Sequence, residues 1–389
     1  MIDKLKLKNF TVFDDCEFDF SPRVNVIVGE NGTGKTHLLK AVYTLLAWKA
    51  QFEPEEKLTK KKVGDALFSV LKRQFLVRNE TLGELVRKGA KEKAVLACTL
   101  ADSTDLEFAF GPRNKSTTLS SALNSESSIK PPVLIPAKEV VSFIEGVTEP
   151  DSDRATIEKI FDGTYLEIIS LLTKPVSDTE LAELENDPRL GTLLPRLCEA
   201  LGGQFEIVDD KIKFQAGSYT EKKTKRGGKT ASQLGDSSEL VFYPTKGDLL
   251  TGKMTAEGYK KIGVLQQLLR NGTLVPGVNG PLLWDEPEAN VNPKLMRLIV
   301  EVILDLSRSG QQVILATHDY AMLKWFDLLE DESQQDDVRF HALYRDEDTA
   351  KIKVETCSEY RLLNENAISD SYAELYDAEV SRALGPPAD

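Results

Sequence analysis

The chain has 389 residues, 41% of them hydrophobic and 29% charged, so it can bury one large core or two modest ones without disulfides or metal staples. Its formal net charge of −13 excludes a protein that lays nucleic acid along much of its surface, and leaves room only for a local basic patch. Cys16, Cys98, Cys198 and Cys357 stand far apart with no C-x-x-C pair, no apolar run approaches a membrane span, and the N-terminus enters a strand pattern at once. A zinc site, a membrane partner and a secretory leader are therefore not expected, and the reading is cytoplasmic.

Residues 5–10 and 16–20 are alternating or β-rich runs joined by a short polar turn, and predict two antiparallel strands. The apolar run 24–28 then leads into Gly29-Glu30-Asn31-Gly32-Thr33-Gly34-Lys35-Thr36, which fits G-x-x-x-x-G-K-[ST] directly before the helical run 38–48. Glycines let the backbone curl so that successive N–H groups face phosphate oxygens, and the next helix aims its positive end at them. Lys35 is expected to reach the β- and γ-phosphates and Thr36 to hold Mg²⁺. Asn31, Gly32, Thr33, Gly34, Lys35, Thr36 and the adjoining His37 form the expected ATP-binding set.

This opening, from Leu5 and Phe10 through Phe18 and Phe20 to the loop at Gly29, resembles the start of RecF, SMC and OLD-type ABC ATPases. The resemblance implies an α/β P-loop NTPase of the ABC-ATPase type, with an N-terminal antiparallel β lobe and an inserted helical lobe. The expected division is an N-terminal ATPase half at 1–135, a mainly helical insertion at 136–236, and a C-terminal ATPase half at 237–389.

Farther along, 51–62 reads as a charged, solvated connection ending in Lys60, Lys61 and Lys62, with a DNA contact as the alternative, followed by helical patterns at 63–77 and 81–88. Residues 93–100 and 106–110 predict a hairpin, and the Ser, Thr and Asn-rich stretch 114–128 an exposed loop. The proline-bounded strand before Lys138 and Glu139 sits where ABC ATPases carry a Q-loop. No glutamine stands there, so Lys138, Glu139 or a plain strand-to-helix turn remain the readings. Helices are expected over 153–172 and 178–201, with Asp151, Ser152 and Ser177 as caps, and both are too short for coiled-coil arms. A hairpin of 204–208 and 211–215 precedes a basic loop holding Lys222, Lys223, Lys225, Arg226 and Lys229, a possible DNA or acidic-partner contact or a solvated loop.

After a strand at 240–243, Ala256-Glu257-Gly258 opens an apolar helix and resembles the ABC signature. There the backbone N–H groups of Glu257 and Gly258 would meet a γ-phosphate bound by another subunit, while Ala256 replaces the usual serine. The apolar strand ending in Asp285-Glu286-Pro287 resembles Walker B and is expected beside the phosphate-loop strand. Asp285 then lies near Mg²⁺ and Glu286 acts as general base on water. Glu288-Ala289-Asn290-Val291-Asn292-Pro293 resembles the D-loop of OLD-type ATPases, and Thr317-His318-Asp319 at a strand end matches an H-switch, with His318 contacting the γ-phosphate. The imidazoles of His37 and His341 are read as structural, and Asp346, Glu347 and Asp348 as a hairpin turn before a final helix at 370–384.

No Toprim or HNH constellation is visible, so the chain reads as the ATPase half alone. The resemblance implies a homodimer or higher even oligomer that sandwiches ATP and Mg²⁺ and switches a separately encoded effector, for instance a nuclease, in phage defence. A RecF-like repair ATPase that binds DNA and a non-hydrolysing nucleotide scaffold are the alternatives.

Overall fold

The computed structural model describes residues 1–52, 59–120, 129–149, 151–185, 187–208, 211–222, 239–247, 249–364 and 366–384. In chain order its strands are β1 (Ile2–Phe10), β2 (Phe13–Asp19), β3 (Val24–Gly29), β4 (Ala94–Leu100), β5 (Asp105–Phe110), β6 (Thr118–Leu119), β7 (Val133–Ile135), β8 (Gly203–Val208), β9 (Lys211–Lys222), β10 (Glu239–Pro244), β11 (Leu250–Thr251), β12 (Leu282–Asp285), β13 (Val313–Thr317), β14 (Val338–Arg345) and β15 (Ile352–Cys357). Its helices are α1 (Lys35–Lys49), α2 (Lys60–Gln74), α3 (Ile144–Thr148), α4 (Arg154–Ile160), α5 (Gly163–Leu172), α6 (Asp178–Glu185), α7 (Leu193–Leu201), α8 (Glu257–Arg270), α9 (Pro293–Arg308), α10 (Tyr320–Leu329) and α11 (Ala367–Leu384). None is long and apolar enough to cross a membrane.

The chain forms two compact units. The first takes Met1–Lys138, Asp153–Ile168 and Pro276–Asp389; the second takes Glu139–Ser152 and Ile169–Val275. The insertion is thus itself interrupted, and the segment with Ala256, Glu257 and Gly258 lies in the second unit and not with the C-terminal ATPase half.

In the first unit, β2-β1-β4-β5-β6 form an antiparallel sheet whose strands alternate buried and exposed residues, as a sheet with one wet face should. The other sheet runs β15-β14-β3-β13-β12-β7. Its strands β14, β3, β13, β12 and β7 are parallel, and β3, β12 and β13 are buried along their whole length. Helix α1 is buried nearly all round and contacts β3, β7, β12 and β13, while Trp48 meets Phe108 of the antiparallel sheet edge to face at 4.8 Å. One core joins both sheets through that helix.

Several expectations change. The strand ending at Asp285 is not beside β3: β13 lies between them. Residues 81–88 form only the short turn Gly83–Leu85, because Val86 is drawn into a bridge with Phe10. Lys60, Lys61 and Lys62 are the first turn of α2, capped by Thr59, instead of a connection. The pattern at 153–172 divides at Phe161 into α4 and α5, and Asp153 caps α4 in place of Asp151 or Ser152. Ser177 and Glu180 form a reciprocal capping box, as the cap expectation required. Asp346 accepts from the Thr349 backbone N–H in the β14–β15 turn, which accounts for the acidic run there. Residues 223–230, most of the basic loop, lie outside the described residues.

The second unit pairs β10-β9-β11, with β8 also on β9, and packs α7 and α8 on that sheet. It is therefore a mixed lobe, its helices lying against four antiparallel strands.

His341 is fully buried in β14, where its Nε2 faces Asn25 Oδ1 at 3.3 Å and its Nδ1 faces Thr356 Oγ1 at 3.0 Å. Asn25 Oδ1 already accepts from the Ser21 N–H, so Nε2 is the imidazole nitrogen that carries hydrogen. Burial pushes its pKa from 6.5 down to about 3. The neutral ring contributes stability that is intact above pH 6.5 and is lost as pH falls toward 3, because only the unfolded chain takes up the proton in that window. Urea unfolding of the wild type should therefore lose about 1.4 kcal/mol per pH unit more than His341→Gln below pH 6.5. Parallel pH slopes for the two proteins would contradict this.

Candidate functional site

The phosphate-loop residues leave β3 at Gly29, whose φ is 152°; a Cβ there would stand 2.4 Å from the Leu343 carbonyl oxygen. Gly34, at φ 102°, begins α1 with its Cα so close to the β1–β2 turn that a Cβ would reach 2.6 Å from Val12 Cγ2. Between them Thr33 is buried and donates its hydroxyl to the Glu30 carbonyl at 2.8 Å, while Asn31 and Gly32 are exposed. No side chain caps the start of α1 and no acid occupies its first turn, so the helix presents its positive end at the loop.

Lys35 is buried and donates its ammonium to the carbonyls of Gly29, at 2.6 Å, and Glu30, at 3.0 Å. Burial lowers its pKa, and the nearby Glu286 and Asp285 oppose that shift. The Thr36 hydroxyl donates to Asp285 Oδ2 at 2.8 Å. This meeting follows from register: Asp285 pairs with Ala316, and Ala316 pairs with Ile27 of β3, so three parallel strands end at one edge beside the start of α1.

Glu286 follows Asp285 with φ at 47° and is held by its N–H to the Ala316 carbonyl at 2.9 Å. That kink sends its carboxylate toward the end of β13, where His318 Nδ1 is 3.3 Å from Glu286 Oε1. Lys35, Thr36, Asp285, Glu286 and His318 thus share the carboxyl edge of one sheet. Glu257 and Gly258 open α8 in the second unit, where Ala256 is the N-cap residue and makes no side-chain cap bond.

The His37 side chain turns from the loop to Phe75, with ring centroids 5.7 Å apart, and burial lowers its pKa. It lines a cavity of about 520 Å³ with Thr11, Val12, Arg87 and Arg345. Buried Thr11 Oγ1 and His37 Nδ1 have no hydrogen-bond partner in the chain. Lys138 and Glu139 point to different tasks. Lys138 lines a smaller cavity, about 170 Å³, with Thr36, Tyr165 and Asp285, whereas Glu139 accepts from the Ser142 N–H and stands 3.9 Å from Lys260. Burial, with Asp162 and Asp285 nearby, pushes the Tyr165 phenol up to about 12.

Sequence reasoning missed Tyr165 and the chemistry of Glu288. Tyr165 lies in an ordinary helical pattern, and Glu288 read only as the first residue of a loop motif. Among the described residues no group of three or more His, Cys, Asp or Glu side chains could hold a metal. The Thr36 hydroxyl and Asp285 carboxylate fit Mg²⁺, a hard cation that takes few protein oxygens and completes its shell with water and phosphate.

The chain was also compared with known proteins. Residues 1–162 match a family model described as "AAA ATPase domain", and residues 135–324 one described as "AAA domain, putative AbiEii toxin, Type IV TA system". The DNA replication and repair protein RecF of Oceanobacillus iheyensis is 43% identical over 56 residues, 14% of this chain and 15% of the relative. RecF of Bacillus cereus (strain G9842) is 33% identical over 95 residues, 24% of this chain and 25% of the relative. The match to these relatives therefore spans a quarter of their length or less. An SMC head solved with the C-winged helix domain of ScpA has the same fold, with a TM-score of 0.52 at 16% identity over 92% of this chain and 97% of that one.

Replacing Gly34 by alanine should combine left-handed strain with the collision at Val12 and Phe13 and cost more than about 1 kcal/mol. A lowered melting temperature together with weakened ATP binding is the expected result; wild-type values for both would show that the loop tolerates a side chain.

Proposed function

We propose, for a chain that belongs to the RecF- and SMC-like ABC-type AAA ATPases, that it binds ATP with Mg²⁺ and hydrolyses the γ-phosphate at a site completed by a second copy. The observation that carries this reading is the convergence of Lys35, Thr36, Asp285, Glu286 and His318 on one sheet edge. The curled loop and the start of α1 supply N–H groups to the phosphates, and Lys35 moves its ammonium from two backbone carbonyls to phosphate oxygens. Mg²⁺, held by Thr36 and Asp285, would neutralise charge on the β- and γ-phosphates.

Glu286 is the general base, since Asp285 is committed to Thr36 and the metal while Glu286 is kinked away toward His318. His318 orients the Glu286 carboxylate and senses the γ-phosphate. Glu257 and Gly258, exposed or half-buried at the start of α8, offer backbone N–H groups to the nucleotide of the partner copy, so the active form is a homodimer or a higher even oligomer. For the cellular role, our reading from the sequence resemblance is an OLD-like cytoplasmic switch over a separately encoded effector, such as a nuclease; the family matched at 135–324 is described as "putative AbiEii toxin, Type IV TA system".

Glu286→Gln should lower steady-state phosphate release about 10²- to 10⁴-fold while ATP still binds. Unchanged turnover would remove Glu286 from the base role, and any multiple-turnover release by the wild type excludes a passive scaffold. Lys35→Ala should lose both ATP binding and ATP-driven dimerisation, read by calorimetry and light scattering. The local identity to RecF favours a second reading, ATP-dependent DNA binding. In that case affinity for duplex DNA should fall steeply with salt and require ATP, whereas absence of binding at low salt rejects it.

A further inference from the structure

Glu288 stands three residues beyond the end of β12, in a loop where both Glu286 and Asn290 adopt left-handed backbone, at φ 47° and 62°. It is 8% exposed. Its Oε1 accepts from the Thr317 hydroxyl at 2.7 Å and from the His318 backbone N–H at 3.1 Å, and it stands 3.5 Å from His318 Nδ1. Thr317 Oγ1 in turn accepts from the Asp319 N–H at 3.0 Å, and Asp319 Oδ1 caps α10 by accepting from the Met322 N–H at 2.7 Å. A continuous run of hydrogen bonds therefore joins the loop that carries Glu286 to the strand end that carries His318, and then to the following helix.

The second carboxyl oxygen, Oε2, is buried and has no hydrogen-bond partner in the chain. Burying an acid with half its acceptors unused is costly, and that burial raises its pKa. An apolar residue would pack there more cheaply if the position only filled space. What an apolar residue cannot do is hold Thr317 and the His318 backbone at once.

We propose that Glu288 is a positioning residue for ATP hydrolysis: by clamping Thr317 and His318 it holds the His318 imidazole against Glu286. The inference rests on the assignment of Glu286 as base and His318 as its partner. Glu288 touches neither water nor nucleotide in this scheme and acts through the strand end it fixes.

The test compares Glu288→Ala, Glu288→Gln and Thr317→Val in steady-state phosphate release. It also follows the imidazole NMR signals, which are simple to assign in a chain with three histidines, His37, His318 and His341. Glu288→Ala should lower kcat about 10- to 100-fold with the KM for ATP changed less than about threefold, since only the orientation of the reacting groups is lost. Glu288→Gln keeps an oxygen acceptor and should recover kcat to within about threefold of wild type. In Glu288→Ala the His318 signals should shift or broaden while those of His341 stay in place.

A raised KM at wild-type kcat, or wild-type turnover with unmoved His318 signals, overturns the inference. If Glu288→Ala does not fold, Thr317→Val removes the hydroxyl donor alone and should still lower kcat about threefold or more; normal turnover in that variant overturns it equally. The two readings separate cleanly. Glu286→Gln with full turnover removes the base assignment, whereas inactive Glu286→Gln beside fully active Glu288→Ala removes only the role of Glu288.

Discussion

The hydrogen bond from Thr36 to Asp285 spans 249 positions of sequence and closes the site. One partner is the second residue of α1 and the other the last residue of β12, so the bond forms only when that helix lies across the carboxyl edge of the parallel sheet. The fully buried, largely apolar strands β3, β13 and β12 make such a sheet stable by burying both faces. The buried surface of α1 then locks the helix over them, and the bond places a hydroxyl and a carboxylate where a nucleotide-bound cation is expected.

Around that bond the charges are unequal. Lys35 is a buried ammonium whose charge is supported by Glu286, Asp285, Glu288 and Glu30, and His318 stands 3.3 Å from Glu286 and 3.5 Å from Glu288. A site built this way is suited to a metal-bound polyanion, because the cation offsets the carboxylates while the helix start and the loop N–H groups meet the phosphates. The backbone kink at Glu286 separates the two neighbouring acids into different tasks. Asp285 faces the loop, and Glu286 faces the end of β13.

The second unit follows a different logic. Its helices α7 and α8 rest on an antiparallel sheet, and polar contacts tie α8 to distant parts of the same unit's chain: Lys260 donates to Ser142 Oγ at 2.8 Å, and Gln266 bonds the backbone at Gly203 and Phe205. These bonds hold α8, the helix that opens with the signature-like turn, near its start and along its second half. Glu139 belongs to the same group: it accepts from the Ser142 N–H and stands 3.9 Å from Lys260.

Consecutive residues were enough to read the phosphate loop, the acid pair at a strand end, the histidine after the next apolar strand, and the β4–β5 and β14–β15 hairpins. Each depends on local chemistry: glycine where φ is positive, unbroken apolar runs for strands buried on both faces, short polar links for turns. Other points were not legible. Whether β12 or β13 would lie beside β3 depends on packing among equally apolar strands, and nothing in their composition distinguishes the two orders. The failure of 81–88 to become a helix came from a bridge to Phe10, a partner more than seventy residues away. By itself, then, the sequence determined the class of fold and the residues able to handle a phosphate. Tertiary structure alone decided which of them meet, including the turning of His37 toward Phe75, the cavity that Lys138 lines with Thr36 and Asp285, and the grip of Glu288 on Thr317 and His318. Side-chain direction and long-range pairing are set by where whole elements pack, and that information is not contained in any short run of the chain.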